Sequence, residues 1–388
     1  MLLHSFFDFS ALKKVDICFA STVKNESEID SEISDNIDSI LGDIDTSELD
    51  EFIDVDFLFE GFQYNSFLDV VKLILAGNFF TDYSSLLDFV KNLLSDNFKS
   101  IISTLVVILV VVILSEIFKN FCIDKYDDFK KVVDILFSLF LILIIGLMMK
   151  NVSWLISDST QKIFKFSNLL FPILLSLVLI SGSTGTYSVY SSLSVFLLNT
   201  GSYVFMYVLL PLSASILIMS LVSVVFKGNQ FSKTIDLFKT LFKYVIGAMI
   251  TIFGLFSAVN LITASVQDGV GLKATKYAIK NYIPFLGGYI SEGFDFVQAS
   301  AVLIKNAFGV CSIFVLFAMV LKPLVIYFVY MIGFKIVSLL ASYVGSGKYS
   351  DMFDNVSKCM GYFIAVMVGV FLIMFIFIYL IIVSVSVI

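Results

Sequence analysis

Long apolar runs, separated by short stretches that contain lysine, fill this chain from residue 101 to its end. A helix that crosses a bilayer needs about 20 mostly apolar residues, because its backbone polar groups must bond within the segment. Eight runs have this character: 101–118, 133–149, 169–183, 193–226, 244–265, 301–321, 323–344 and 359–388. The fourth run is too long for one straight crossing, and Pro211 near its middle predicts either one kinked helix or two short ones. We therefore predict an all-α, polytopic transmembrane helical bundle with seven to nine spans over residues 99–388.

The N-terminal quarter has a different character. Residues 25–60 carry 14 of the 32 acidic residues and no lysine. This segment is strongly polar in a chain whose mean hydropathy is +0.97. Residues 25–98 are therefore predicted to form an acidic, amphipathic-helical soluble region. Its first apolar stripe, which runs from Ile29 to Ile44, favours a solvated acidic helix or a spacer. The second, which begins at Phe67, predicts short helices that lie on the membrane surface or pack together above it.

Residues 1–24 resemble a degenerate export signal, because Asp8, Lys13, Lys14 and Asp16 interrupt the expected apolar stretch. We predict neither its cleavage nor its retention. The loops behind it all carry lysine, and since consecutive loops do not alternate in charge, the positive-inside rule leaves the orientation of the spans open.

Several kinds of chemistry are excluded by the residues available. The only histidine is His4, there is no arginine, and the four cysteines are too far apart for a redox pair or a zinc site. Residues 345–348 read GSGK, but Tyr349 occupies the Ser/Thr position that a phosphate-binding loop requires. The sequence predicts no catalytic residues, no cofactor, no metal site and no nucleic-acid partner, so the protein is not expected to be an enzyme.

One segment, residues 283–310, concentrates helix-breaking and charged residues where an apolar run begins. A charge inside a span costs a few kcal/mol unless it is paired or hydrated. One interpretation is a re-entrant or broken segment that lines a polar path, with Lys305 facing Glu292, Asp295 or a partner subunit; the other is a structural ion pair or a lysine that snorkels to the interface. The candidate functional residues are Pro284, Gly287, Gly288, Glu292, Gly293, Asp295, Lys305, Asn306 and Gly309.

Small residues recur every four positions in two of the runs. They are Gly254 and Ala258 in one, and Gly361, Ala365 and Gly369 in the other. This spacing lets helix backbones approach closely. We predict that these residues pack helices within this protein rather than against a partner.

The segment that contains LIKNAFG, residues 303–309, resembles the stage III sporulation protein AE family. The resemblance extends over nearly the whole chain and includes Pro284, Gly287, Ser291, Glu292, Asp295, Leu303, Ile304, Lys305, Asn306, Ala307 and Gly309. It implies no catalytic residue. It implies a membrane component of a secretion-like channel, or feeding tube, between mother cell and forespore during endospore formation.

The resemblance also implies a location and partners. The expected location is the mother-cell-derived outer forespore membrane, with the N-terminal region outside the cytoplasm. The expected partners are other membrane subunits of the channel, a secretion-type ATPase and ring-forming proteins of the intermembrane space, in addition to the lipid bilayer. Two alternatives remain open from the residues themselves: a permease-like subunit that itself transports a small metabolite, and a pure assembly scaffold.

Overall fold

A computed structural model describes residues 37, 39–42, 44–52, 66–75, 84–121, 127–225, 231–255, 277 and 287–384 of the chain. The regular elements in these residues are all helical. They are α1 (Ser47–Asp50), α2 (Phe67–Leu75), α3 (Ser84–Phe121), α4 (Asp127–Ile180), α5 (Thr184–Phe196), two π-helical segments (Leu197–Gly201 and Val204–Leu209), α6 (Leu210–Val225), α7 (Phe231–Leu255), α8 (Gly287–Tyr343) and α9 (Gly347–Ser384).

Six helical stretches in the described residues are long and apolar enough to cross a membrane. The predicted count of seven to nine is not confirmed, because two pairs of predicted spans lie on single helices. Residues 133–149 and 169–183 both belong to α4, and residues 301–321 and 323–344 both belong to α8. Lysine is a good helix former, and proline is tolerated in membrane helices, so neither the lysine-containing stretch between the first pair nor Pro323 ends a helix.

The run that was predicted to be kinked or divided, residues 193–226, is one continuous helical stretch within the described residues 184–224. Its irregularity takes the form of the two π-helical segments, which end immediately before α6. Pro211 lies at the second position of α6 and has no N–H to donate to the preceding turn. Wider π turns at this position accommodate the missing hydrogen bond.

Two glycine turns reverse the chain between long helices. Gly182 (φ 81°) follows α4 and Gly345 (φ 91°) follows α8. In the second turn the Ser346 N–H donates to the Ala341 carbonyl at 3.0 Å, and the Gly345 N–H donates to Ser342 at 3.1 Å. This is a Schellman motif, which requires a left-handed residue that glycine supplies without strain. The GSGK sequence is therefore a helix-reversing turn in this fold.

The last helix, α9, packs along α8, and the two are the most buried of the long helices in the described residues. Helix α9 runs parallel to α4, as the Thr160–Met367 and Ser167–Met374 contacts show, and antiparallel to α8, as the Tyr327–Phe363 ring contact and the Lys305–Ile381 hydrogen bond show. We call the end of the bundle near Gly345 the turn end, and the end near Ser384 the C-terminal end.

The described part of the acidic N-terminal region packs onto the membrane body. Leu41, Leu49 and Phe52 are buried, and Phe67, Val70 and Val71 on α2 are fully buried. The Phe52 ring lies 5.6 Å from Phe166 of α4. Within the first apolar stripe, Leu41 is buried and Ile37, Ile40 and Ile44 pack against the hydrophobic core, so the described end of this stripe is not a solvated helix or spacer.

Candidate functional site

Lys305 lies in the first half of α8 and is fully buried. Its ammonium group donates hydrogen bonds to the Ile381 carbonyl at 2.9 Å and to the Ile382 carbonyl at 2.8 Å. These carbonyls lie close to Ser384, the last described residue of α9, and the Ile381 carbonyl also accepts a hydrogen bond from the Ser384 hydroxyl at 3.0 Å. A cation at this position also complements the negative end of the helix dipole. Lys305 therefore binds the C-terminal part of a helix whose acceptor carbonyl lies 76 residues further along the chain.

Gly309 lies one helical turn after Lys305 and faces the same helix end. A Cβ atom at this position would come within 2.5 Å of two side-chain carbons of Ile382. The absence of a side chain thus allows α8 and α9 to approach closely beside the ammonium group. Residues 305–309 form a seat for the end of α9, which we call the α9 seat.

The other predicted members of this segment are distributed around the seat. The helix α8 is continuous from Gly287 and passes through Gly288 and Gly293, so a broken or re-entrant backbone is excluded from Gly287 onward. Pro284 and the side chain of Glu292 lie outside the described residues. Asp295 is partly buried, and Oδ1 of Asn306 is buried without a hydrogen-bond partner among the described residues.

The neighbouring residue of the seat, Phe308, meets the N-terminal arm. Phe308 is fully buried, and its ring lies 5.4 Å from the ring of Phe67 on α2. Phe67 in turn lies 6.5 Å from Phe166 on α4. Residues 305–309 therefore contact the end of α9 through Lys305 and Gly309 and contact α2 through Phe308, while Phe67 of α2 connects them to α4.

The predicted packing glycines differ in their surroundings. A Cβ at Gly369 would lie 3.1 Å from the Phe205 ring, so α9 approaches its neighbours closely there. Gly254 and Gly361 have no heavy atom within 4 Å of such a Cβ. Ala365 is partly buried and Ala258 lies outside the described residues. A further close approach, at Gly333 against Leu105, has no repeat pattern in the sequence to indicate it.

A charged network at the turn end was not identified from the sequence. Asp134 of α4 lies 2.7 Å from the ammonium of Lys119 on α3 and 2.5 Å from that of Lys348 on α9. Lys119 also pairs with Glu116 at 2.9 Å, and Lys348 donates to Ser138 at 2.9 Å. The signal available was the position of each charge at the edge of an apolar run, although edge charges usually mark the interface instead.

This network predicts a measurable contribution to stability. Asp134→Asn should lower the free energy of unfolding by about 2 kcal/mol. Breaking a buried ion pair costs about 3–5 kcal/mol, and these side chains are 20–25% exposed, which reduces the value. Asp158→Asn on the same helix is the matched control, since its partner Lys162 is 59% exposed and the loss should be below about 0.5 kcal/mol. Equal effects in denaturant titrations of the purified protein would contradict the assignment.

The described residues also contain two buried cysteines and two open clefts. Among the described residues no group of three or more potential metal ligands is found, and Cys311 and Cys359 are buried and free. Two open clefts in that part of the chain lie between residues 45–52, which include α1, and residues 165–173 of α4. The polar groups that the structure brings together join helices to one another.

Comparisons with known proteins match the chain to a family and to a curated relative. The sequence model of the family described as stage III sporulation protein AE matches residues 65–386, which include every helix from α2 to α9. A curated relative, stage III sporulation protein AE of Bacillus subtilis (strain 168), is 25% identical over 219 residues. That alignment covers 56% of this chain and 55% of the relative, or about half of each. No solved structure matches the chain.

Proposed function

Since this chain belongs to the stage III sporulation protein AE family, and so has a role in sporulation, we propose that it is a non-enzymatic membrane subunit of a secretion-like channel between mother cell and forespore. The observation that carries the proposal is the extent of the family match, which spans the entire helical bundle. The six stretches long and apolar enough to cross a membrane that the described residues contain are consistent with residence in a bilayer.

The contacts of Lys305 support a structural subunit over a permease that moves a small metabolite by itself. Both of its described hydrogen bonds go to backbone carbonyls of α9, so the ammonium holds a helix end in place. In a carrier of this kind we would expect a buried charge to face a cavity or a titratable partner. The α9 seat instead fixes α9 against α8.

The proposed setting follows from the family. The protein resides in the mother-cell-derived outer forespore membrane, with the N-terminal region outside the cytoplasm. There it assembles with other membrane subunits, with a secretion-type ATPase and with ring-forming intermembrane proteins. In this setting the described part of the arm packs on the membrane body through the contacts of Phe67 with Phe308 and Phe166.

Deletion of the gene in its endospore-forming host tests the proposal. We expect the deletion to reduce heat-resistant spores by several orders of magnitude and to abolish late forespore gene expression, while engulfment proceeds. Complementation with the intact gene should restore both, and a frameshifted copy serves as the matched control. Unchanged spore yield and forespore expression in the deletion strain would refute the proposal.

A further inference from the structure

Apolar side chains dominate the exposed surface of α3 and α4 at the turn end of the bundle. They lie between Lys99 and Lys119 on α3 and between Lys131 and Lys150 on α4, and the ion pair of Lys119 with Asp134 sets the two stretches side by side. Nineteen or twenty residues of helix are about 30 Å long, which is the thickness of the hydrocarbon core. The two stretches therefore mark the level of the bilayer, and we call their exposed surface the lipid belt. It includes Val106, Val110 and Leu114 of α3 and Leu136, Leu143 and Leu147 of α4.

Contacts with α9 carry the level of the lipid belt through the bundle. At the turn-end edge, Asp134 of α4 pairs with Lys348 at 2.5 Å. At the other edge, the Tyr327 hydroxyl of α8 donates to the Val152 carbonyl of α4 at 2.7 Å, and the Tyr327 ring lies 5.6 Å from the Phe363 ring. The part of α9 between Lys348 and Phe363 therefore lies at the level of the belt.

Charged side chains are exposed at this level on α8 and α9. Asp354 and Lys358 of α9 lie between the two marker residues, and Lys335 of α8 pairs with Asp354. The side chains of Lys335 and Lys358 are 54% and 62% exposed. The other large exposed side chains of α8 at this level are apolar, so Lys335 marks the edge of the lipid-facing surface on that helix. They are Phe328, Ile332, Ile336, Leu339 and Leu340.

The first half of α7 exposes charges at the same level. Its Phe242 ring lies 5.0 Å from Tyr362 of α9 and its Phe253 ring lies 6.3 Å from Phe377, so α7 runs parallel to α9. Residues 231–241 therefore extend from the edge of the belt about 16 Å toward the turn end. This half of α7 is the α7 face, and its exposed side chains include Lys233, Asp236, Leu237 and Leu241. Among the six stretches of the described chain that could cross a membrane, α7 is the least apolar and the least buried.

Two helix ends also lie at this level. Phe205 lies beside Gly369 of α9, and Ser220 of α6 lies 3.7 Å from the thiol of Cys359, so α6 runs toward the turn end. It ends at Val225, about 8 Å further on, which is inside the belt level, as is the start of α7. Helix ends leave backbone groups without intrahelical partners, and hydrocarbon supplies none. Such ends occur at bilayer depth only where protein packs on them or water reaches them.

We propose that the α7 face, together with Lys335 and Lys358, lines a water-filled path at the level of the lipid belt. Charged side chains within membrane-spanning segments face either the interior of a bundle or a water-filled cavity. These side chains are exposed, so they do not face the interior of this bundle. Water on this surface hydrates the charges and the helix ends, while acyl chains cover α3 and α4. The inference rests on the proposed function, because a channel subunit gives such a path its use.

Two pairs of single-cysteine variants compare the α7 face with the lipid belt at equal depth. Leu237→Cys is matched with Leu147→Cys, since both leucines lie about 8 Å inside the edge of the belt and are 56% and 61% exposed. Ser232→Cys is matched with Leu143→Cys, about 14 Å inside the edge. Within each pair the two positions differ mainly in the helix that carries them.

The full-length protein, with its four native cysteines replaced by alanine, is reconstituted in vesicles of phosphatidylethanolamine and phosphatidylglycerol. A nitroxide on each new cysteine then reports collisions with oxygen, which concentrates among acyl chains, and with a water-soluble nickel chelate. We expect the ratio of nickel to oxygen collisions to be about tenfold higher at Leu237 than at Leu147, and at Ser232 than at Leu143.

Equal ratios within each pair would place the α7 face among acyl chains and overturn the inference. Shielding of Leu237 and Ser232 from both reagents would show that protein covers this face, which also overturns it. Nickel collisions at Leu147 and Leu143 would remove the lipid belt from hydrocarbon and so remove the basis of the inference. The measurement involves no sporulating cell, so its failure leaves the deletion test of the proposed function standing, and an unchanged spore yield leaves the nitroxide result standing.

Discussion

Lys305→Glu is expected to lower the free energy of unfolding at pH 7 by about 4 kcal/mol. A carboxylate at this fully buried position would face the Ile381 and Ile382 carbonyls, so the group must take up a proton before it is buried. That protonation costs about 1.4 kcal/mol for each pH unit above the range in which free glutamate titrates. The defect should therefore shrink by nearly 3 kcal/mol between pH 7 and pH 5.

Lys305→Met is the matched variant, because it keeps the length of the side chain and removes the charge. It loses two charge-assisted hydrogen bonds, but it also removes the cost of burying an ammonium group, so the net loss should stay below about 2 kcal/mol. Denaturant titrations of the purified protein in detergent at pH 7 and pH 5 measure both variants. A Glu variant that matches the Met variant at pH 7, or whose defect does not change with pH, would contradict the burial of the Lys305 side chain against the Ile381 and Ile382 carbonyls.

Phe67→Ala is expected to cost about 3–5 kcal/mol, because it empties a fully buried site between the rings of Phe166 and Phe308. The loss should fall first on the docking of α2 rather than on the whole bundle. Limited proteolysis should therefore cut the N-terminal arm faster while α8 and α9 stay protected, and hydrogen exchange should report the same opening.

Phe129→Ala on α4 provides the control. It removes the same ring from a site that is 57% exposed, so it should leave the rate of arm cleavage unchanged. If both variants accelerated cleavage equally, the arm would not depend on the contact of Phe67 with Phe166 and Phe308.

The helical class of this protein follows from its sequence, whereas the number of crossings does not. Continuous apolar runs of bilayer length predict helices, because a helix makes all its backbone hydrogen bonds within the segment that lies in lipid. The lysine-containing stretches between the apolar runs are predicted from the sequence to be loops. Residues 150–165 instead continue α4 as a helix. Local composition does not distinguish a loop from a continuing helix. A lysine-containing stretch is compatible with a loop, and it is also compatible with a helix that is solvated on one face and packed on the other.

Residues 283–310 show the same limit of prediction from local sequence, here for single residues. Sequence singled out Lys305 as a charge in an apolar run, but its acceptors lie on a helix 76 residues away. Only the antiparallel packing of α8 and α9 brings them together. Tertiary packing also distinguishes Gly369, which has a close neighbour, from Gly361, which has none within 4 Å. It likewise brings Asp134 together with two lysines from separate helices.

Compartment-restricted complementation tests the central claim most directly. In a strain that lacks the gene, one copy is expressed only in the mother cell and another only in the forespore, and a late forespore reporter is measured after engulfment. A subunit of a channel in the outer forespore membrane predicts full reporter activity with the mother-cell copy and none with the forespore copy. Restoration by the forespore copy alone would contradict the account.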